Sequence, residues 1–483
     1  MRSLEHEGVT TLFGYPGGAI MPVYDALYGY KDKLNHVLVR HEQGATHAAQ
    51  GYARVSGKVG VALVTSGPGA TNTITGIADA MMDSTPIVVI AGQVGASLLG
   101  SDAFQECDLV GVTQPISKWA YQIRRPEDVA WAVSRAFYIA KSGRPGPVVL
   151  DFAKNAQVGL VDYEPQGTDF IRSYVPVPKT DPWAIRQAAA LINNAKRPFI
   201  LVGQGVELGG AQEEVRQLIE RADIPAGCTL LGLSALPSDH PLNMGMLGMH
   251  GSLANSIKTQ ECDVLIAVGM RFDDRITGKL STYARQAKKI HFEIDPREVN
   301  KNVPVDVAVL GNCKQTLAQV LEQVKPNRHT EWIDSFGEHH EREKEAVIEP
   351  EIHPADGPIK MGEVVRKVTE MTGNKAVLVT DVGQNQMMAA RYFKFSAAIG
   401  ATFGAPGRMV CLFLGDGGIQ MTLQELGTIM EQRSPVKIIL LNNNYLGNVR
   451  QWQEMFFGKR YSFTPMMNPD YNMIASAYGI PNR

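Results

Sequence analysis

The amino-acid sequence predicts an α/β chain of three doubly wound parallel-sheet domains. At 483 residues it is too long for a single core and suggests about three domains. Short apolar runs alternate with helix-like segments in three separate stretches, the pattern of parallel sheets covered by helices. Glycine turns follow these runs at 14–18, 66–69, 203–205, 383 and 415–418, where the carboxyl ends of strands face a ligand in such folds.

In chain order, residues 1–8 read as the last turns of an amphipathic helix, without the apolar stretch of a signal peptide. The first domain, 1–162, has strands predicted at 11–13, 37–39, 60–65, 87–91 and 147–151. Residues 163–182 form a proline-rich linker whose Val-Pro-Val-Pro run at 175–178 is extended. The second domain, 183–325, has strands at 199–202, 264–268 and 289–294. A second linker, 326–357, carries the charged run from Glu338 to Glu345, read as a solvated helix face rather than a histidine metal site. The third domain, 358–483, opens with a strand and glycine turn at 377–384 and is read as incomplete, because 478–483 follows a helix-like stretch with no closing strand.

Composition narrows the class. A net charge of −2 argues against nucleic-acid or acidic-membrane partners, and no apolar run approaches the ~20 residues of a membrane span. Five cysteines without CxxC spacing indicate neither a zinc site nor a disulfide framework, so a cytoplasmic setting is expected.

The stretch with the most chemistry runs from Met409 to Asn444: apolar strand, Gly-Asp-Gly turn, helix, second apolar strand, three asparagines. The right-handed connection of such a unit brings both strand ends to one edge, so Asp416 and Asn443 are expected to converge. A carboxylate and an amide beside Gly415, Gly417 and Gly418 make an oxygen-rich pocket that suits magnesium bridging to phosphate. Thr422 and Glu425 have the spacing of a capping box, which would leave helix N–H groups facing an anion. A lone Gly-Asp-Gly is equally an ordinary turn. In the first domain an apolar strand runs into Arg40-His-Glu-Gln43. A carboxylate at the end of a buried strand is costly unless paired or used, which singles out Glu42. The alternative is an ion pair with Arg40 or His41 at a helix start. His41 and His47 are read as packing residues.

Gly-Asp-Gly followed, after a helix and a strand, by Asn-Asn resembles the thiamin-diphosphate signature of pyruvate-decarboxylase-like enzymes. The phrases FGYPGGAI, RHEQGATHAAQGYAR, VTSGPGATN, GQV, DAFQE, SGRPGPV, GMLGMHG, RFDDRITGK, FEIDP and QWQ are similar to those of the acetohydroxyacid (acetolactate) synthase catalytic subunit, and they span about 12 to 452.

The resemblance implies that one pyruvate is decarboxylated on thiamin diphosphate. The hydroxyethyl unit then joins a second pyruvate or 2-oxobutanoate, the first common step of branched-chain amino acid synthesis. It implies Glu42 and Gln105 as catalytic residues, Glu42 bonding the aminopyrimidine ring. It places the coenzyme against Gly18, Glu42, Pro68, Asn72, Gln384, Gly415, Asp416, Gly417, Met421 and Asn443. Magnesium (Mg2+) would be held by Asp416, Asn443 and the Tyr445 carbonyl. FAD, reckoned structural because the net reaction transfers no electrons, would lie against Arg144, Gly203, Gly205, Met249, His250, Gly251, Arg271, Glu293, Ile294 and Asn312. Phe104, Lys154, Arg275 and Trp452 would meet the 2-oxo acid substrates, Arg275 forking onto the acceptor carboxylate. A homodimer or dimer of dimers with active sites at the dimer interface is implied, with a small regulatory subunit as a further partner. Alternatives are another thiamin-dependent carboligase, a pyruvate oxidase, or a noncatalytic relative.

The sequence departs from the family pattern at several points. Between Phe395 and Ala401 the expected strand and glycine turn are missing, which suggests that Ser396 and Ala397 are not covalently consecutive. Asn385 stands where His is usual, Phe152-Ala-Lys154 where Leu-Pro-Lys is usual, and Asn448 where Met is common.

Overall fold

A computed structural model describes residues 1–393 and 407–483. Ser396 and Ala397 lie outside the described residues. The first sheet holds β1 (Thr11–Gly14), β2 (Asn35–Leu38), β3 (Gly60–Val64), β4 (Ile87–Gln93), β5 (Trp119–Ile123) and β6 (Val148–Ala153), in the order β2-β1-β3-β4-β6-β5. The second holds β7 (Pro198–Val202), β8 (Ala226–Cys228), β9 (Asn243–Met246), β10 (Val264–Val268), β11 (Lys288–Glu293) and β12 (Val307–Leu310), in the order β12-β11-β10-β7-β8-β9. The third joins β13 (Val377–Thr380), β14 (Val410–Gly415) and β15 (Lys437–Leu441) in sequence order. Every pairing among these strands is parallel, as three doubly wound α/β units require.

The central strands are buried on both faces, which is why they read as unbroken apolar runs. Alternate side chains feed cores on opposite sides of a sheet. Val61 and Leu63 pack with Leu12, Ile90 and Phe137, whereas Ala62 and Val64 pack with Phe13, Val89 and Ile77. In the second unit Ile200 and Val202 face one core, and Phe199 and Leu201 the other, where they meet Trp332 and Phe336. Those two aromatic residues fix part of the 326–357 stretch to the second sheet. Between Val158 and Pro182 there is neither helix nor strand.

Strand order decides where ligands can lie. In the first sheet the chain goes from β1 out to β2, then crosses to β3, so the connections part between β1 and β3. In the second they part between β7 and β10, and its order is that of a dinucleotide-binding sheet. The crevice outside the carboxyl ends at such a switch point is the usual binding place.

Two local expectations are corrected. Glu42 does not end a buried strand: β2 stops at Leu38, and Glu42 is the first residue of the helix Glu42–Ser56, half-buried, with His41 as its cap. The Thr422/Glu425 capping box does not form. The helix Asp416–Met421 starts at the turn itself, and no side chain caps the turn beginning at Leu423. The Glu425 carboxylate instead accepts the backbone N–H of Arg40 (3.1 and 3.3 Å) and the Thr428 hydroxyl (2.7 Å). A tertiary acceptor for an otherwise lone amide outcompetes a local cap of about 1 kcal/mol.

Candidate active site

The loops after β1 and β3, on either side of the first switch point, are pressed together. A Cβ on Gly17 would lie 2.5 Å from the Thr65 side chain, and Ala19 N–H donates to Thr65 Oγ1 (3.3 Å). Glu42 projects to the same place. Its Oε2 accepts from Asn72 Nδ2 (2.9 Å), and a Cβ on Gly69 would come within 3.3 Å of its Oε1. Tyr24 lies close enough that the Glu42 charge adds to burial in pushing its hydroxyl pKa up. Gln105 enters from the loop after β4. Its φ of +60° is a left-handed conformation, and its backbone rests on Gly67, where a Cβ would meet the Gln105 carbonyl at 2.7 Å. A non-glycine residue held so is strained and persists only where packing over-determines it. Glu42, Pro68, Asn72 and Gln105 are thus gathered on one turn. Gly18 is open to solvent on the neighbouring loop, and Phe104 is 87% exposed.

In the third unit β14 and β15 run side by side, Gly415 opposite Leu441, so Asp416 and the asparagine run leave the sheet together. Asp416 is 2% exposed. The hydrogen-bond partner of its carboxylate among the described residues is Asn468 Nδ2 (2.6 Å), which also donates to Asn442 Oδ1 (2.8 Å) and Asn444 Oδ1 (3.1 Å). Asn443 turns to Gln384 (3.4 Å) and accepts from Tyr445 N–H (3.0 Å). Among the described residues Asp416 and Asn443 share no hydrogen bond; Asn468, which sequence reasoning missed, instead joins Asp416 to Asn442 and Asn444, the neighbours of Asn443. No spacing rule links Asn468 to a motif 52 residues earlier. Gln384 closes against Gly447, where a Cβ would lie 2.3 Å from its Oε1. Beneath the turn, Asp381 accepts Gly415 N–H (3.2 Å) and bonds to Asn385. Asn385 also donates to the Phe413 carbonyl (3.2 Å), so it fastens the end of β14. Gly417 packs toward Leu446 and Met466, and Met421 is 80% exposed.

The two halves are tied within one chain. Besides the Glu425 bonds, Arg40 Nη2 pairs with Glu431 Oε2 (2.6 Å). The segment leading into Glu42 thus docks on the segment following the Asp416 helix. The second unit meets the third as well: the Arg275 guanidinium stands 5.8 Å from the centre of the Trp452 ring.

The other residues named from sequence lie mostly along the carboxyl edge of the second sheet. Gly203 and Gly205 follow β7 and pack on Gly269 at the end of β10, where a Cβ on either would approach the Gly269 backbone to 2.3 and 2.6 Å. That close approach is reason enough for both glycines. Glu293 is buried at the end of β11 and accepts Ile294 N–H (2.8 Å) and Asp295 N–H (3.0 Å). Asn312 caps the helix Cys313–Leu321. Arg271 touches Met82 Sδ (3.8 Å) of the first unit. Arg144 crosses from the first unit to Glu298 Oε1 (2.8 Å) and holds Ser84 Oγ (2.9 Å). Met249, His250 and Gly251 lie on the turn after β9, stitched to Arg275 by Met249 N–H to the Arg275 carbonyl (2.8 Å). Lys154 is exposed at the end of β6.

The donor set fits a hard cation with a diphosphate. The buried Asp416 carboxylate and the amide oxygens of Asn442 and Asn444 converge on one electropositive group, the Asn468 amide N–H2, and such hard oxygen donors suit magnesium completed by phosphate oxygens. Among the described residues there is no cluster of three or more His, Cys, Asp or Glu, the set a softer metal would need. No described helix is long and apolar enough to cross a membrane.

Comparison with known proteins matches each of the three units. Residues 1–112 match the thiamine pyrophosphate enzyme N-terminal TPP-binding domain, 185–320 the central domain and 381–483 the C-terminal TPP-binding domain. The chain is 44% identical to the acetolactate synthase large subunit of Parasynechococcus marenigrum, over 99% of this chain and 81% of that one. It is 43% identical to the acetolactate synthase isozyme 2 large subunit of Escherichia coli, over 99% and 89%. It is 42% identical to the probable acetolactate synthase large subunit of Methanocaldococcus jannaschii, over 99% and 85%. With similarity of this depth over 99% of its length, the chain belongs to the acetolactate synthase large-subunit family of thiamine pyrophosphate enzymes.

Proposed function

We propose that two 2-oxo acids are joined where the first and third units face one another, by the residues gathered around Glu42 and Asp416. The observation that carries this reading is the docking of the segment before Glu42 on the segment after the Asp416 helix. Bound thiamin diphosphate supplies the electron sink for the pair left when pyruvate loses carbon dioxide. The chain's own residues do the rest. Glu42, oriented by Asn72, holds and moves a proton at the coenzyme's pyrimidine nitrogen. Asp416, with Asn443 and the Tyr445 carbonyl, would hold magnesium, and Gln384 would bond the diphosphate. Arg275 forks onto the acceptor's carboxylate, and Trp452 beside it selects the acceptor's alkyl end by an apolar contact of ~1–3 kcal/mol. Gln105, Phe104 and Lys154 would line the approach for the donor.

A flavin dinucleotide suits the second unit, whose strand order is the dinucleotide-binding one and whose β7 and β10 ends meet at Gly203 and Gly269. Arg144, Arg271, His250, Glu293 and Asn312 stand around the same edge. Residues 1–162, 183–325 and 358–483 would then be the three units, joined by 163–182 and 326–357. A second copy of the chain would cover the exposed Phe104 and Met421, which favours a homodimer with its sites at the interface; a small regulatory subunit and a cytoplasmic setting complete the reading.

The test is product analysis of the full chain given pyruvate, thiamin diphosphate, Mg2+ and FAD. Acetolactate without oxygen uptake is expected; acetate with oxygen uptake, or no pyruvate consumption, would overturn the reading. Mixing Glu42→Gln and Asp416→Ala chains, each inactive, tests the interface: recovered turnover would place Glu42 of one copy with Asp416 of the other, and none would leave the pair within single chains, as the Arg40–Glu425 docking has them.

A further inference from the structure

The charged run of the second linker, which reads from sequence as solvated, contains one residue that is not. Glu343 is 6% exposed at the end of the helix Gly337–Glu343. One carboxylate oxygen accepts Leu253 N–H (3.0 Å), and the other pairs with the Arg391 guanidinium. Leu253 opens the helix Leu253–Glu261, immediately after the turn bearing Met249, His250 and Gly251. Arg391 lies in the last turn of the helix Gln384–Tyr392, whose first residue is Gln384. A single buried carboxylate therefore joins the flavin-side turn of the second unit to the diphosphate-side helix of the third.

Both ends of the connection are stiff. Asn255 Nδ2 donates to the carbonyls of Met244 (3.0 Å), Gly245 (3.1 Å) and Met246 (3.0 Å), which anchors the start of the Leu253 helix to β9. The turn before it is held to Arg275 through Met249, and His250 sits near both Arg275 and Arg391, whose charges add to burial in lowering its pKa. Separating Glu343 from Arg391 would strand a buried charge, so the pair behaves as a unit. We propose that Glu343 is a positioning residue that couples the turn Met249–Leu253 to the helix Gln384–Tyr392, so that a ligand ordering either segment raises the affinity for the ligand of the other. The inference rests on the placement of flavin and diphosphate given under Proposed function. A flavin that transfers no electrons thereby holds the diphosphate helix in place.

The experiment is a pair of titrations on the full chain. FAD binding is followed by quenching of flavin fluorescence with and without thiamin diphosphate and Mg2+, and coenzyme binding by calorimetry with and without FAD. Linkage requires the same factor both ways. A factor of about five or more is expected in the unaltered chain, falling to near one in Glu343→Gln and in Arg391→Gln, with the double variant no different from either. Should Glu343→Gln fail to fold, judged by circular dichroism, Arg391→Gln, which leaves the bond from Leu253 N–H to Glu343 in place, is expected to lose the coupling on its own. Coupling unchanged in the folded variants, or absent from the unaltered chain while both cofactors bind, overturns the latch and leaves the cofactor sites standing. Failure of the unaltered chain to bind FAD at all overturns the flavin placement and the latch with it.

Discussion

The docking of Glu425 on the Arg40 amide makes Gly44→Ala the sharpest single probe of the structure. In the first turn of a helix this change should help, since alanine is favoured over glycine by about 0.5–1 kcal/mol. Here a Cβ on Gly44 would lie 2.5 Å from Glu425 Oε1, an oxygen already held by the Arg40 N–H at 3.1 Å. The new methyl must displace the carboxylate. A charged acceptor lost from a part-buried amide costs about 2 kcal/mol, which outweighs the propensity gain and leaves Gly44→Ala about 1 kcal/mol worse. Glu425→Ala alone loses the same bond. It should lower kcat/KM for acetolactate formation roughly 30-fold if the docked arrangement is the active one. In the Glu425→Ala background the steric conflict is gone, so adding Gly44→Ala should be neutral or restore part of the loss. A double-mutant cycle on kcat/KM, with the urea midpoint as a second readout, tests this reversal of sign. If the two changes simply multiply, the Glu425 carboxylate does not sit over Gly44 and the docking is wrong.

Two further outcomes follow from particular contacts. Asp151 is buried on β6, accepts from Gln122 (2.6 Å) and Gln93 (3.3 Å), and its carboxyl pKa is pushed up to about 6 by desolvation. The native state therefore holds this proton longer than the unfolded chain, so its contribution to stability is greatest below about pH 4 and falls as pH rises to about 6. Asp151→Asn should gain on the unaltered chain by about 1–3 kcal/mol across that window, read from urea midpoints at pH 4.5 and 7.5. A constant difference would refute the buried proton. Arg450 lies between the rings of Tyr445 (4.2 Å) and Tyr461 (4.1 Å), clamping the chain beside the asparagine run. Arg450→Leu should cost about 1–2 kcal/mol of that clamp and weaken magnesium-dependent coenzyme binding by about tenfold in calorimetry, whereas unchanged binding would mean that the clamp does not shape the metal site.

Much of this was readable beforehand, for physical reasons that also mark where reading stops. β3, β4, β7 and β10 announce themselves because strands buried on both faces need unbroken apolar runs, and their turns because a backbone pressed against a ligand or another strand needs glycine. The strands that sequence passed over lack those marks. β5 is an edge strand of mixed polarity, β8 has three residues, β9 contains a glycine, and β12, though apolar throughout, is an edge strand of only four residues. The site divides in the same way. Glu42 and Asp416 sit in local motifs and were legible. Their supports were not, because they are non-local: Glu425 finds its amide 385 residues away, and Glu343 finds Leu253 at 90. The spacing that suggested a capping box was real, but local spacing carries no record of which tertiary amide will claim the carboxylate.

At the centre stands the claim that the Glu42 carboxylate handles a proton on a coenzyme gripped at Asp416. The most direct measurement is the steady-state rate of acetolactate formation by Glu42→Gln at saturating thiamin diphosphate and Mg2+, with coenzyme affinity measured alongside. A kcat at least about 100-fold below that of the unaltered chain is expected, with coenzyme binding largely retained. A kcat within about threefold would contradict it, since a loss that small, below about 1 kcal/mol, leaves no room for an essential proton carrier at that position.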